Sequence, residues 1–251
     1  MSTPNRRRFL GGAALVGLTG LGAVTATGCT RTAVIHGNRG LTDETADLTP
    51  DQAMAKLAEG NARFVDMRHD DPNVSSARLI AVSRGQKPFV GVLGCVDSRV
   101  PPELVFDRGL GDIFDARIAG AIPDDAAIGS LEFGVEEFGV PLLVVLGHSR
   151  CGAVTAAVKE IATKENGAGG TTAPPGHIGA VVDPILPVVK AVRAQGITGD
   201  AVVNAAAKEV VGLSVDALQR SPVLKDRLAD GRLKIVGAFY DLDTGKIDFL
   251  P

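Results

Sequence analysis

From residue 49 onward, short unbroken apolar runs alternate with segments whose apolar positions recur every three or four residues. Three runs have strand length: "FVGVLG" at 89–94, "IFDARIA" at 113–119 and "PLLVVLG" at 141–147. The first and last are apolar on both faces, the pattern of strands covered on each side. Before them, "LTPDQAMAKLAEGNARFV" at 48–65 predicts a helix. Thr49 can cap it, Pro50 suits its first turn and Gln52 completes a capping box, after which Met54, Leu57, Ala58, Phe64 and Val65 fall at helical spacing. Ile128, Leu131, Val135 and Phe138 step by three and four and mark one face of a second helix. Strands linked through helices in this way imply an α/β chain with a parallel sheet. A fourth run at 233–242, followed by "DTG" and "KIDFL", reads as a strand and a closing hairpin, and 167–176 as a surface loop.

Length and composition narrow the class. At 251 residues, 45% hydrophobic and 22% charged, the chain can bury the core of one large domain. The net charge of -3 argues against a nucleic-acid partner, which requires clustered Lys and Arg. With no tryptophan and one tyrosine, base-stacking platforms are not expected either.

The N-terminus has its own logic. Arg6, Arg7 and Arg8 precede an uncharged stretch at 9–30, the layout of an export signal, and Arg6-Arg7 followed by Phe9-Leu10 resembles a twin-arginine signal. A single membrane anchor is the alternative, weakened by the six glycines between Gly11 and Gly28. Gly28-Cys29 resembles a lipoprotein processing site, although Ala26 stands where a larger aliphatic residue is usual. The expected organisation is an export signal at 1–29, a polar linker or arm at 30–48 and one folded domain at 49–251. The expected location is the cell envelope or the exterior, reached by the twin-arginine route, with any membrane contact confined to the signal or a lipid on Cys29.

Cys95 and Cys151 remain. In an oxidising compartment two cysteines most often form a disulfide, but a chain exported already folded can keep thiolates on a metal. "VLGCVDSRV" from Val92 and "VLGHSRCGAV" from Val145 rhyme: each is an apolar strand ending in glycine, followed at once by a metal-capable residue. Ligands collect outside the carboxyl ends of parallel strands, so Cys95, His148 and Cys151 can converge there. Two thiolates and one imidazole suit zinc and leave a fourth position free, the mark of a catalytic site. Asp97 can close that position itself, or be held away by Arg99, since alternate residues of an extended segment point the same way. His36, His69 and His177 read as solvated surface residues.

These residues carry a family resemblance. "CVDSRVPPE" and "GHSRCGAV" resemble the two signatures of the β-class carbonic anhydrases, and the likeness extends through "EGNARF", "GQKP", "SLEFGVEEFGV" and "GRLKIVGAFYDLDTG". It implies an α/β fold with four parallel strands and an antiparallel addition, helices on both faces, and an N-terminal helical arm that embraces a partner in an obligate homodimer, or a tetramer of such dimers. It implies zinc on Cys95, His148 and Cys151, and a catalytic dyad of Asp97 and Arg99. Gln86 falls on a glutamine that reaches the substrate across the dimer interface, Phe114 on an aromatic lining the pocket, and Gly152 on a further substrate-binding position. Ile118 and Ala121 stand where asparagines are frequent, and Phe133 where tyrosine is, which makes the pocket drier.

The reaction so implied is reversible hydration of CO2 to bicarbonate and a proton by zinc-bound hydroxide, with Asp97 accepting its hydrogen bond and Gln86 donating to a substrate oxygen. Two thiolates offset the metal's charge, so activity is expected to rise on the alkaline side of neutrality. The alternatives are a hydrolase of a CO2 analogue such as carbon disulfide on the same fold, and a non-catalytic zinc or disulfide module.

Overall fold

The computed structural model describes residues 47–165 and 174–250. The expected signal, nearly all of the linker and most of the 167–176 loop lie outside the described residues.

Helix α1 (Pro50–Val65) begins as the sequence prescribes. The Gln52 amide donates to the Thr49 hydroxyl, and the Gln52 side chain accepts from the Thr49 amide. Ala53 and Leu57 turn inward and are fully buried. Two further residues fasten the helix. Gly60 lies so close to the chain beyond it that a Cβ would sit 1.9 Å from the Phe106 carbonyl oxygen. Asn61 donates to the carbonyls of Val105 and Gly245, each at 2.9 Å, and accepts from the Ile247 amide at 2.8 Å.

The elements that follow are α2 (Ser76–Val82), β1 (Val90–Gly94), α3 (Pro102–Val105), β2 (Ile113–Arg117), α4 (Asp125–Phe138), β3 (Leu142–His148) and α5 (Gly152–Glu165). After the undescribed stretch come α6 (Gly179–Val182), α7 (Leu186–Ala194), α8 (Ala201–Gln219), α9 (Lys225–Ala229), β4 (Lys234–Tyr240) and β5 (Ile247–Phe249). The five strands order as β2-β1-β3-β4-β5, with the first four parallel and β5 antiparallel on β4. This is the expected sheet. Its second strand stops sooner than the apolar run suggested, because Ile118 donates its amide to the Gly94 carbonyl and a tight turn at Ala119–Ala121 follows.

Period-two alternation decides which helix covers which face. Val90, Val92, Leu142, Val144 and Leu146 join Ala53 and Leu57 of α1, while Leu93, Leu143 and Val145 join Leu131 and Val135 of α4 and Val211 and Leu218 of α8. Every residue of β1 and β3 is buried, which explains why both runs lack polar positions. Among the described residues no helix is long and apolar enough to cross a membrane.

Candidate metal centre

The chain leaves β1 for β2 on one side and then crosses to β3 on the other, so the winding reverses between β1 and β3. Their carboxyl ends meet there, at the position where such sheets gather ligands. Cys95 follows directly on β1, His148 ends β3, and Cys151 immediately precedes α5. One ligand atom from each of the three lies within 4.8 Å of the others. All three side chains are buried, and both thiols are free rather than joined in a disulfide.

The donor chemistry fits zinc. His148 Nδ1 lies 2.9 Å from the Ser149 carbonyl, which can only accept, so Nδ1 carries the ring hydrogen and Nε2 presents its lone pair. That Nε2 is buried and has no hydrogen-bond partner. An orphan of this kind costs about 1–3 kcal/mol, a cost that a cation would remove. The two thiols act on each other: the neighbouring Cys151 lowers the Cys95 pKa against the opposing effect of burial, with His148 adding to the lowering, and Cys95 together with burial raises that of Cys151. The Gly120 amide also donates to Cys95 Sγ at 3.4 Å. Each of these features favours a thiolate at Cys95, the form a metal binds.

Asp97 is held by Arg99 in a different geometry from the extended one expected. The chain turns at Asp97–Val100, with the Val100 amide donating to the Asp97 carbonyl at 3.1 Å. Arg99 folds back and donates from its backbone amide and Nε to Asp97 Oδ1 at 3.0 and 2.9 Å, and from Nη2 to Oδ2 at 2.7 Å. The physical reason is the Asx turn, which brings the two side chains together without strand alternation. The Arg99 hydrogen bonds, working against burial, hold the Asp97 carboxyl well below the usual carboxylate range. Asp97 Oδ2 lies 3.9 Å from His148 Nε2 and stands outside the group of three clustered ligand atoms.

The remaining candidates are more scattered. Gly152 opens α5 beside Cys151, and a side chain there would meet nothing within 4 Å, so space lies above it. Gln86 is exposed ahead of β1, at the opposite end of that strand from Cys95. Five strand residues intervene, roughly 17 Å at the usual rise, so Gln86 does not meet the centre of its own chain. Phe114 is the second residue of β2 and pairs with Gly91, well short of the carboxyl end. Its ring packs on Phe133 and Phe138, with centroids 6.4 and 5.7 Å away. Ile118 precedes and Ala121 ends the tight turn that contains Gly120, and Ala121 takes a left-handed φ of 55° with its carbonyl accepting from buried Ser214 at 3.0 Å.

Sequence reasoning assigned no role to Arg117, yet it braces the centre. Its Nε donates to the Cys95 carbonyl at 2.9 Å and its Nη2 to the Asp97 carbonyl at 2.6 Å. Its run also carries Asp115, so charge alone would not have singled it out. His69 is more engaged than a solvated surface residue: its ring packs edge-on against Phe64, and with Asp71 and Asp107 it forms a second group of close ligand-type atoms. There Arg63 Nε already lies 2.5 Å from Asp107.

Comparison with known proteins follows the same lines. The sequence profile of the carbonic anhydrase family matches residues 90–247. Carbonic anhydrase 2 of Mycobacterium tuberculosis is 40% identical over 198 residues, covering 78% of this chain and 91% of the relative. A carbonic anhydrase of Mycolicibacterium smegmatis is 36% identical over 200 residues, covering 79% and 92%. Among solved structures, the β-carbonic anhydrase CafA of the fungus Aspergillus fumigatus superposes with a TM-score of 0.61 at 25% identity, covering 80% of this chain and 89% of its own.

Proposed function

Since the chain belongs to the β-class carbonic anhydrases and is thus an enzyme of reversible CO2 hydration, we propose that zinc on Cys95, His148 and Cys151, served by Asp97 and Arg99, forms its catalytic centre. One observation carries the assignment: a buried imidazole nitrogen without a partner lies beside two free thiols at the reversal of the sheet. Zinc bound there supplies a Lewis acid that makes a water molecule acidic near neutral pH.

The chain's own residues do the rest. Asp97, kept ionised by Arg99, accepts a hydrogen bond from the attacking water and aims its lone pair at the CO2 carbon. A C–O bond forms, one C=O pair moves onto oxygen, and a proton leaves to solvent as bicarbonate is released. Arg117 fixes the carbonyls on either side of Val96 and so keeps Cys95 and Asp97 in register. The free thiols stand against the disulfide module weighed from sequence, and nothing in the site favours carbon disulfide.

The complete pocket requires a second chain in this reading. Gln86 lies at the far end of β1 from its own centre, and Leu79 and Ile80 of α2 are exposed at 57% and 72%. A homodimer formed through this region covers those apolar residues and lets Gln86 of one chain donate to substrate in the other. Phe114, whose ring packs on Phe133 and Phe138, lines the pocket in this reading, and two dimers can pair into a tetramer. Export by the twin-arginine route, with or without a lipid on Cys29, rests on residues 5–30 of the sequence alone. Signal-reporter fusion tests it, and strictly cytoplasmic fusion protein rejects it.

Stopped-flow CO2 hydration, measured before and after zinc removal and after zinc return, tests the central assignment. Activity should vanish with the metal and come back with it. Full activity in a zinc-free preparation refutes the centre, and a strictly monomeric active enzyme refutes the shared pocket.

A further inference from the structure

The two ligands supplied by β3 and the loop after it are separated only by Ser149 and Arg150, and the rest of the fold grips this pair at consecutive residues. The Ser149 amide donates to the Tyr240 carbonyl, and the Leu242 amide donates to the Ser149 hydroxyl, both at 2.9 Å. The Arg150 amide donates to Asn204 Oδ1 of α8 at 2.9 Å. Its guanidinium forms a two-pronged bond to Asp243, Nη1 to Oδ2 at 2.7 Å and Nη2 to Oδ1 at 2.8 Å. Held this way, Arg150 has a φ of 52°, a left-handed conformation that a residue with a Cβ adopts reluctantly.

That conformation has a purpose. A strand continued past His148 would point successive side chains to opposite faces and carry Cys151 away from the centre. The left-handed residue turns the chain back, so that His148 and Cys151 come within reach of one cation.

We propose that Asn204 and Asp243 are positioning residues for the metal, acting through Arg150: they hold its unfavourable backbone conformation and thereby pre-set the spacing of His148 and Cys151. The inference rests on zinc being the occupant of the centre. It concerns no contact with substrate. Outer partners that orient metal ligands typically change metal affinity by about tenfold to a hundredfold. Here Asn204 grips the backbone and Asp243 the side chain, so each contributes separately.

Competition with a chromophoric chelator, on full-length enzyme at fixed pH, measures the zinc Kd for wild type, Asn204→Ala, Asp243→Asn and Arg150→Gly. Far-UV circular dichroism confirms that each is folded; Asp243 is exposed, so its substitution leaves the core alone. Asn204→Ala should weaken zinc binding about tenfold, and Asp243→Asn, which loosens a solvent-screened ion pair, about threefold to fivefold. Glycine takes the left-handed conformation without a clamp, so Asp243→Asn should have no effect on Kd when added to Arg150→Gly. Wild-type enzyme that binds one zinc, with both single variants binding it within twofold as tightly, overturns the proposal and leaves the zinc centre standing. So does an Asp243→Asn effect that persists in the Arg150→Gly background. Wild-type enzyme that binds no zinc overturns the underlying assignment and the proposal together.

Discussion

Replacing Asp97 with asparagine separates what this side chain does for the fold from what it does for the reaction. The substitution keeps shape and removes charge. Asp97 accepts three hydrogen bonds from Arg99, two on Oδ1 and one on Oδ2. Asparagine oriented with its oxygen toward the Arg99 amide and Nε keeps two of them, and its NH2 then faces Nη2 donor to donor. One charge-assisted bond is lost, about 1.5–3 kcal/mol if fully desolvated. Arg99 is 53% exposed, so solvent screens the pair and the stability loss should be near 1 kcal/mol. Zinc content should hold, since Asp97 stands outside the three clustered ligand atoms. Turnover is a different matter. The amide nitrogen cannot accept the hydrogen bond of the attacking water, and losing a positioned acceptor costs about 10²–10⁴ in rate. At 1.36 kcal/mol per decade that is about 3–5 kcal/mol, several times the stability change. Stopped-flow hydration, zinc analysis and thermal unfolding on one preparation give all three quantities. A variant that carries one zinc per chain and turns over within threefold of wild type refutes the role of Asp97.

Three other outcomes follow from the packing and charges. Gly60→Ala must push its methyl against the Phe106 carbonyl, which is backbone and cannot rotate away, so denaturant unfolding should show a loss of about 3 kcal/mol; under 1 kcal/mol contradicts the close approach. Asn61→Leu strips partners from the Val105 carbonyl of α3 and from the Gly245 carbonyl and Ile247 amide of the final hairpin, and should cost about 3 kcal/mol or more. Asp107 is buried, yet the Arg63 hydrogen bond and the amides of Asp70 and Asp71 overcome that burial and lower its pKa. Its stabilisation is therefore complete above the unfolded value of about 3.9 and fades as pH falls through the lower folded value. Urea midpoints between pH 7 and pH 3 should decline less steeply for Asp107→Asn than for wild type, and parallel declines contradict the argument.

How much of this was legible in the sequence depends on the range of the interaction. Runs at 89–94 and 141–147 announced buried parallel strands because nothing but apolar side chains can live in the middle layer, and β1 and β3 lie there. The α1 capping box was readable because its partners are three residues apart. Cys95, His148 and Cys151 were readable as a set because strand ends of a parallel sheet have predictable neighbours. The props behind them were not. Arg117, Ser214, Asn204 and Asp243 act on backbone atoms or charges remote along the chain, and no periodicity marks such a pairing. The turn at Asp97 was misjudged as extended because a short polar segment after a strand carries no pattern to distinguish the two. Gln86 and Phe114 lie apart from the centre of their own chain, because a match by motif fixes a position in the sequence and not its distance from the site.

The strands that lead into Cys95 and His148, β1 and β3, are the interior pair of the sheet, flanked by β2 on one side and by β4 with β5 on the other. Those flanks do more than shield: Arg117 at the end of β2 and Asp243 beyond β4 reach back to the loops that leave the inner pair, so a change at either margin is transmitted to the centre.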